Sequence, residues 1–390
     1  MKIGIITQYY KSQNYGGNLQ AFALCHIINK LGFDAEQICY GGSIKTSNAS
    51  GVNSQSRIKR YLKNPLGVLK AIKNKAYSIV VRGNKSLRRN AFQKFNLGVI
   101  KHSVASYTKE NIYESNNVYD LFITGSDQVW NTRWYNPVYF LDFVKEGKIK
   151  MSYAASISKF SLTDAEKEIF GKSVNDYLAV SVRESSSVEL LQDVIKNTNV
   201  EWCLDPTLIL DLEDWEEITT PRIENERYIL GFFISGNKKF GKIAKKFAQK
   251  KGLKYIEIPV YEKNFHFRER RMYDVGPSQF LSFIKYADHV FTDSFHASVF
   301  SIIFDRAFFV FSRNDHPAMK SRLVDLTALF DCQSRLCDSD EKCTFSYLET
   351  VNTTAYMEKS EKYFEMKEKS IAYLKNNIIR AASILDENKD

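Results

Sequence analysis

The sequence predicts an α/β protein built from two doubly wound, Rossmann-like domains that face each other across a cleft, with a C-terminal closing helix. Three observations predict this fold. The chain has 390 residues, roughly two to three times an ordinary single domain. Apolar, β-type runs alternate with helix-period segments in both halves. Polar residues gather directly after those runs, where open α/β sheets bind ligands.

The first domain, residues 1–205, opens with the isoleucine-rich run Lys2 to Thr7, which reads as a buried parallel strand. A glycine-containing turn from Asn14 to Asn18 and an apolar-periodic helix from Leu19 to Leu31, stopped by Gly32, follow it. After a basic insertion at about 41–109, the same grammar resumes with strands at Leu121–Thr124, Met151–Ala155 and Ala179–Val182. A helix around Val188–Val194 and a short strand ending at Cys203-Leu204 complete the domain, and Asp205-Pro206 breaks the pattern.

The second domain, residues 206–350, has strands at Tyr228–Ile234, Tyr255–Val260, His289–Thr292 and Ala307–Phe311. Its helices are Lys238–Lys251, ended by Gly252, then Ser278–Tyr286 and Ala297–Phe304. The Lys/Glu-rich tail, residues 351–390, reads as a long closing helix over Met357–Ile384 that packs back on the first domain.

No apolar run approaches the roughly 20 residues that cross a bilayer, and the run after Met1 is too short for a secretory signal, so a cytoplasmic location is expected. Six scattered cysteines read as reduced, buried thiols. The irregular trio Cys332, Cys337 and Cys343 and the loop pair Asp338/Asp340 are poor metal ligand sets, and no metal is expected. The net charge of +10 is concentrated, because no acidic residue lies between Glu36 and Glu110. Within that stretch, residues 57–95 interleave Arg57, Arg60, Lys70, Arg82, Arg88 and Arg89 with Leu62, Val68 and Ile72. This pattern suits an anionic membrane surface at the inner face, or equally a solvated helical insertion. Nucleic acid, the other polyanion, is not an expected partner.

Chemistry is sought at the strand ends. Asn14, Gly16, Gly17, Asn18 and Gln20 follow the first strand, reading either as a tight turn or as a loop offering backbone amides to a ligand. The next strand delivers Gly125-Ser126-Asp127-Gln128-Val129-Trp130-Asn131, denser in hydrogen-bonding groups than a helix cap at Asp127 requires. Arg183-Glu184 offers an arginine fork for phosphate or carboxylate, or an internal ion pair. In the second domain, Asp293, Ser294 and His296 sit at a strand-to-helix junction, where His296 is either a proton-transfer residue or a capping histidine. Arg313, His316, Lys320 and Arg322 surround a helix start and call for an anion.

Together, "NYGGNLQA" (Asn14 to Ala21), "ITGSDQVWN" (Ile123 to Asn131), "SVRE" (Ser181 to Glu184), "DPTL" (Asp205 to Leu208) and "TDSFHASVFSIIF" (Thr292 to Phe304) resemble the polysaccharide pyruvyl transferases. The resemblance implies a GT-B-like fold, with the acceptor on the first domain and the donor on the second. It also implies transfer of a pyruvyl group from phosphoenolpyruvate to two hydroxyls of one sugar, giving a cyclic ketal. The acceptor would be a cell-surface polysaccharide or its lipid-linked precursor, with no cofactor. Carried onto this chain, the motifs point to His296 and Asp127 as the acid–base pair and leave open which does which; the working assignment is His296 as the acid and Asp127 as the base or acceptor anchor. Arg183, Ser294, Lys320 and Arg322 would meet the donor. Asn14, Gly16, Gly17, Asn18, Gln20, Ser126, Gln128, Trp130 and Asn131 would meet the acceptor. Many relatives carry an arginine two residues before the histidine, where this chain has Ser294. A GT-B glycosyltransferase using a nucleotide sugar and a non-catalytic sugar- or lipid-carrier-binding protein are the alternative readings.

Overall fold

The computed structural model describes residues 1–41, 83–260, 272–313, 317–351 and 360–387. In the first half, strands β1 (Lys2–Ile6), β2 (Asp34–Tyr40), β3 (His102–Tyr107), β4 (Leu121–Gly125) and β5 (Ile149–Tyr153) form a parallel sheet in the order β3-β2-β1-β4-β5. Bridges from Met151 to Ala179 and from Ala155 to Val182 extend it to β6 (Val180–Val182) and β7 (Val200–Trp202). In the second half, β8 (Tyr228–Phe232), β9 (Lys254–Glu257), β10 (His289–Thr292), β11 (Ala307–Phe311) and β12 (Leu336–Cys337) form a second parallel sheet in the order β12-β11-β10-β8-β9. Helices α1 (Tyr15–Lys30), α2 (83–98), α3 (Asp164–Val174), α4 (Ser187–Gln192), α5 (Leu212–Ile218), α6 (Lys238–Lys251), α7 (Pro277–Lys285), α8 (Phe295–Ile303), α9 (Pro317–Leu329), α10 (Phe345–Thr350) and α11 (Glu361–Glu387) surround the sheets.

Strands buried on both faces are apolar throughout, which makes β1, β4, β8 and β11 legible in the sequence. The reading omits β2 because its buried positions include Glu36 and Gln37. Tertiary partners satisfy them: Tyr119 donates its hydroxyl to Glu36 at 2.7 Å, and the Gln37 amide donates to the Ala21 carbonyl at 2.7 Å. It omits β3 because this edge strand exposes its central residues. Helix α1 also begins earlier than expected, so Gly16 and Gly17 form its first turn rather than a preceding loop.

The two halves share one apolar core that runs from Leu19 and Phe22 of α1 to Phe280 and Phe300 of the second half. Tyr15 is the seam: its ring stacks on Phe280 at 4.3 Å and meets Phe232 edge-on at 5.6 Å, while its hydroxyl donates to the Val275 carbonyl at 2.7 Å. Arg88 of α2 donates to the Tyr15 hydroxyl and to the Pro259 carbonyl. This corrects one residue of the basic face, since Arg88 is buried against protein. Residues 57–82 of that segment lie outside the described residues, as does most of the basic insertion. Helix α11 returns to the first half, where Tyr373 donates to the Ser152 carbonyl and Tyr363 to the Leu208 carbonyl, each at 2.9 Å. Among the described residues, no helix is long and apolar enough to cross a membrane.

Trp130 is also a core residue, fully buried among Phe140, Phe170 and Tyr177, with its indole N–H donating to the Tyr139 carbonyl at 3.2 Å. Truncation to Ala is expected to cost about 3–5 kcal/mol, read from urea unfolding midpoints. A loss below about 1 kcal/mol would contradict this placement.

Candidate active site

Each sheet has a point where its strand order reverses, between β1 and β4 in the first and between β8 and β10 in the second. Side chains beyond the carboxyl ends of such strands line a crevice. Here the two crevices face each other and close to contact: a Cβ on Gly16 would lie 2.0 Å from His296 Nδ1. Only glycine admits the imidazole so near the α1 backbone.

A buried ionic cluster lies beside this contact. Arg183, delivered by β6, donates Nη1 to Asp205 at 2.8 Å and Nη2 to Asp127 at 3.4 Å, and its Nε is 3.8 Å from Glu184. The same Asp205 oxygen, Oδ2, lies 3.5 Å from His296 Nε2, while Oδ1 accepts from the Thr207 amide and hydroxyl. Burial acts to raise the Asp205 carboxyl, but His296, Arg183 and Thr207 outweigh it and hold the group far below the usual carboxylate range. Arg322, from α9, lies 3.7 Å from Glu184 and shares the Phe295 ring with Arg183, their guanidinium carbons 5.8 and 5.3 Å from its centroid. Burial, reinforced by the Arg183 charge, brings the Arg322 guanidinium down to about 10. Its Nε and Nη2 have no hydrogen-bond partner among the described residues.

Arg322 also borders two small, half-open pockets, one shared with Arg183, Asp205 and Leu326 and one shared with Arg313 and Asp293. A buried, unsatisfied guanidinium beside open space is the natural seat of an anion. Helix α1 and helix α8 add to the positive potential, because both point their N-termini at the Gly16–His296 contact and neither first turn carries an acid.

Several sequence-predicted residues hold other positions. Asp293 accepts from the Ile234 and Ser235 amides, so it ties the ends of β8 and β10 at the border of the Arg322 pocket, and burial raises its carboxyl. Ser294 caps α8, accepting from the Ala297 amide. Lys320 pairs with Asp338 at 3.0 Å on the surface and is not part of the cluster. His316 lies outside the described residues.

On the acceptor side, Trp130 is withdrawn into the core. Asn18, Gln20 and Ser126 are fully buried as well and act as internal braces. Gln20 donates to Thr7 and accepts from the Ser126 amide, Asn18 donates to the Asn14 carbonyl, and Ser126 donates to the Ala154 carbonyl. They shape the loop that presents Asp127, whose φ of 63° is left-handed and which follows a cis Gly125–Ser126 peptide. Gly125 is itself required, since a Cβ there would lie 2.1 Å from the Tyr153 carbonyl oxygen. Gly16 and Gly17 are buried in the first turn of α1. Asn14 is exposed and Gln128 keeps partial access, while the buried Asn131 donates its amide to the Gln128 side-chain oxygen at 3.2 Å.

Two residues of the cluster escaped the sequence reading of the site. Asp205 is legible only as a break before Pro206, and Glu184 only as the neighbour of Arg183. The sole signal for Asp205 is its place within the "DPTL" string.

A histidine flanked by buried carboxylates and arginines, at the meeting of two facing crevices, is the layout of a two-domain transferase with a GT-B-like fold. The chain belongs to the polysaccharide pyruvyl transferase family, which it matches over residues 14–316. No curated protein sequence matches it. Among solved structures, UDP-GlcNAc 2-epimerase from Methanocaldococcus jannaschii is similar at 12% identity and a TM-score of 0.53, covering 96% of this chain and 100% of that one. A putative UDP-N-acetylglucosamine 2-epimerase from Listeria monocytogenes is 11% identical with a TM-score of 0.44, covering 100% of this chain and 97% of that one.

The geometry yields two expectations. Asp205→Asn strands the buried Arg183 charge and is expected to lower stability by about 3–5 kcal/mol in urea unfolding at neutral pH; an unchanged midpoint would refute the ion pair's role. Gly16→Ala drives a methyl group into the imidazole, so turnover with the physiological acceptor should fall roughly 100-fold while Tm changes by only a few degrees.

Proposed function

We propose that the protein transfers the pyruvyl group of phosphoenolpyruvate to two hydroxyls of one sugar in a cell-surface polysaccharide or its lipid-linked precursor, forming a cyclic ketal. The observation that carries this reading is the Arg322 guanidinium, buried, incompletely paired and bordering two pockets that share Phe295, the residue before His296. The donor brings a phosphate and a carboxylate, and this cation, backed by Arg183 and the two helix N-termini, supplies what they require.

In the proposed sequence, His296 gives a proton to the donor's methylene carbon, which becomes the methyl group and leaves an oxocarbenium-like centre at C2. One sugar hydroxyl attacks C2 and passes its proton to Asp127. Inorganic phosphate then departs with the C–O electron pair and takes the proton held by Asp127, and the second hydroxyl closes the ring, returning its proton to His296. Asp205, facing Nε2, orients the imidazole and keeps Nδ1 beside Gly16. Ser294, at the position where many relatives carry arginine, caps the helix that presents His296, and Arg322 from α9 takes over the donor charge.

Phosphate release from phosphoenolpyruvate in the presence of acceptor tests the scheme. His296→Ala should lower turnover by at least about 100-fold, and Arg322→Gln should raise the KM for phosphoenolpyruvate about tenfold or more. A protein stabilised in thermal shift by nucleotide sugars and indifferent to phosphoenolpyruvate would overturn the donor assignment.

A further inference from the structure

The loop that carries Asp127 does not end at the cleft. Beyond Asn131, the turn Thr132–Trp134 and then Tyr135 run along the rim of the first sheet. Trp134 is 44% exposed and Tyr135 45% exposed, and Phe160, on the loop after β5, is 53% exposed. Large aromatic rings left open at the carboxyl edge of a sheet, next to a candidate site, mark a contact surface.

This rim is built rather than loose. Asn131 caps the turn by accepting from the Arg133 amide, and Tyr135 packs on the buried Phe140 ring at 5.3 Å. The guanidinium of Arg133 lies 5.7 Å from the Trp134 ring centroid. Glu166, in the first turn of α3, joins the two loops: its carboxylate accepts from Thr132 Oγ1 and Lys159 Nζ, and from the amide and hydroxyl of Thr163 at 3.0 Å each. One carboxylate therefore holds both aromatic loops in a single arrangement. At the inner end, the Gln8 side chain donates to the Gln128 carbonyl and fixes the loop against β1.

The chemistry of the rim selects its partner. The residues flanking its aromatics in the two loops are Thr132, Arg133, Asn136 and Lys159, all polar or charged. A protein or lipid partner would need a continuous apolar patch, whereas a sugar ring offers a C–H face to an aromatic and hydroxyls to the polar groups beside it. We infer that Trp134, Tyr135 and Phe160 form a stacking platform for the neighbouring sugars of the acceptor chain, leading outward from the unit held at Asp127. The inference rests on the proposed saccharide acceptor and adds that the enzyme recognises an oligosaccharide, not an isolated sugar.

The full-length protein and a Trp134→Ala/Phe160→Ala variant would be applied to an array carrying bacterial surface oligosaccharides alongside their component monosaccharides. Both proteins would also be assayed for thermal shift with phosphoenolpyruvate and for flotation with phosphatidylglycerol vesicles. The wild-type protein is expected to retain oligosaccharides and bind monosaccharides at least tenfold more weakly. The variant should lose oligosaccharide binding by at least tenfold with its Tm and its response to phosphoenolpyruvate unchanged. Equal oligosaccharide binding by the two proteins, or no oligosaccharide binding by the wild type, would overturn the platform. Vesicle binding that disappears in the variant would also overturn it, assigning the rim to a membrane. Absence of a response to phosphoenolpyruvate with intact, Trp134-dependent oligosaccharide binding would sink the donor assignment and leave the platform standing.

Discussion

The Arg183–Asp205 ion pair sits where the first sheet ends and the second half begins, and both partners are almost wholly withdrawn from water. Such a pair contributes little net stability when complete and costs a great deal when broken. Its value here is geometric. One Asp205 oxygen faces both Arg183 and His296, so the carboxylate joins the cation of one half to the imidazole of the other. Asp127 and Glu184 occupy the remaining sides of Arg183, and Glu184 in turn reaches Arg322. Removing Asp205 would disturb every other charged group of the site.

The halves are held in register by more than charge. Tyr15 is inserted among Phe92, Phe232 and Phe280, and Arg88 clasps its hydroxyl. Because Gly16 is the next residue, the seam that joins the halves also sets how closely α1 approaches His296. Two helix N-termini meeting head to head repel each other unless negative charge lies between them. Asp205, beside His296, supplies negative charge there.

Family membership and fold leave the donor and acceptor to the residues of the cleft. Here the residue two before the histidine, Ser294, is a helix cap, and a further buried guanidinium, Arg322, reaches the cluster from α9. The acceptor side is narrower than the density of polar residues suggests. Of the polar side chains after β4, Ser126, Asp127 and Asn131 are buried, and Asn131 donates to the half-buried Gln128.

By itself, the sequence determined the two parallel sheets and the strand ends at which Asp127, Arg183 and His296 emerge. Buried parallel strands must be apolar along their whole length, and ligand residues follow them locally in the chain. It did not reveal β2, whose buried Glu36 and Gln37 are satisfied only by partners remote in sequence. Nor did it distinguish Trp130 in the core from Trp134 on the rim, because an indole looks the same in either place until packing assigns it. Tertiary structure alone turned Asp293 to backbone amides, gave Lys320 to Asp338, and brought Asp205 between Arg183 and His296. Each of these depends on which groups meet across 18 to 91 residues of chain, and burial there leaves no charge or hydrogen-bond donor indifferent to its neighbour.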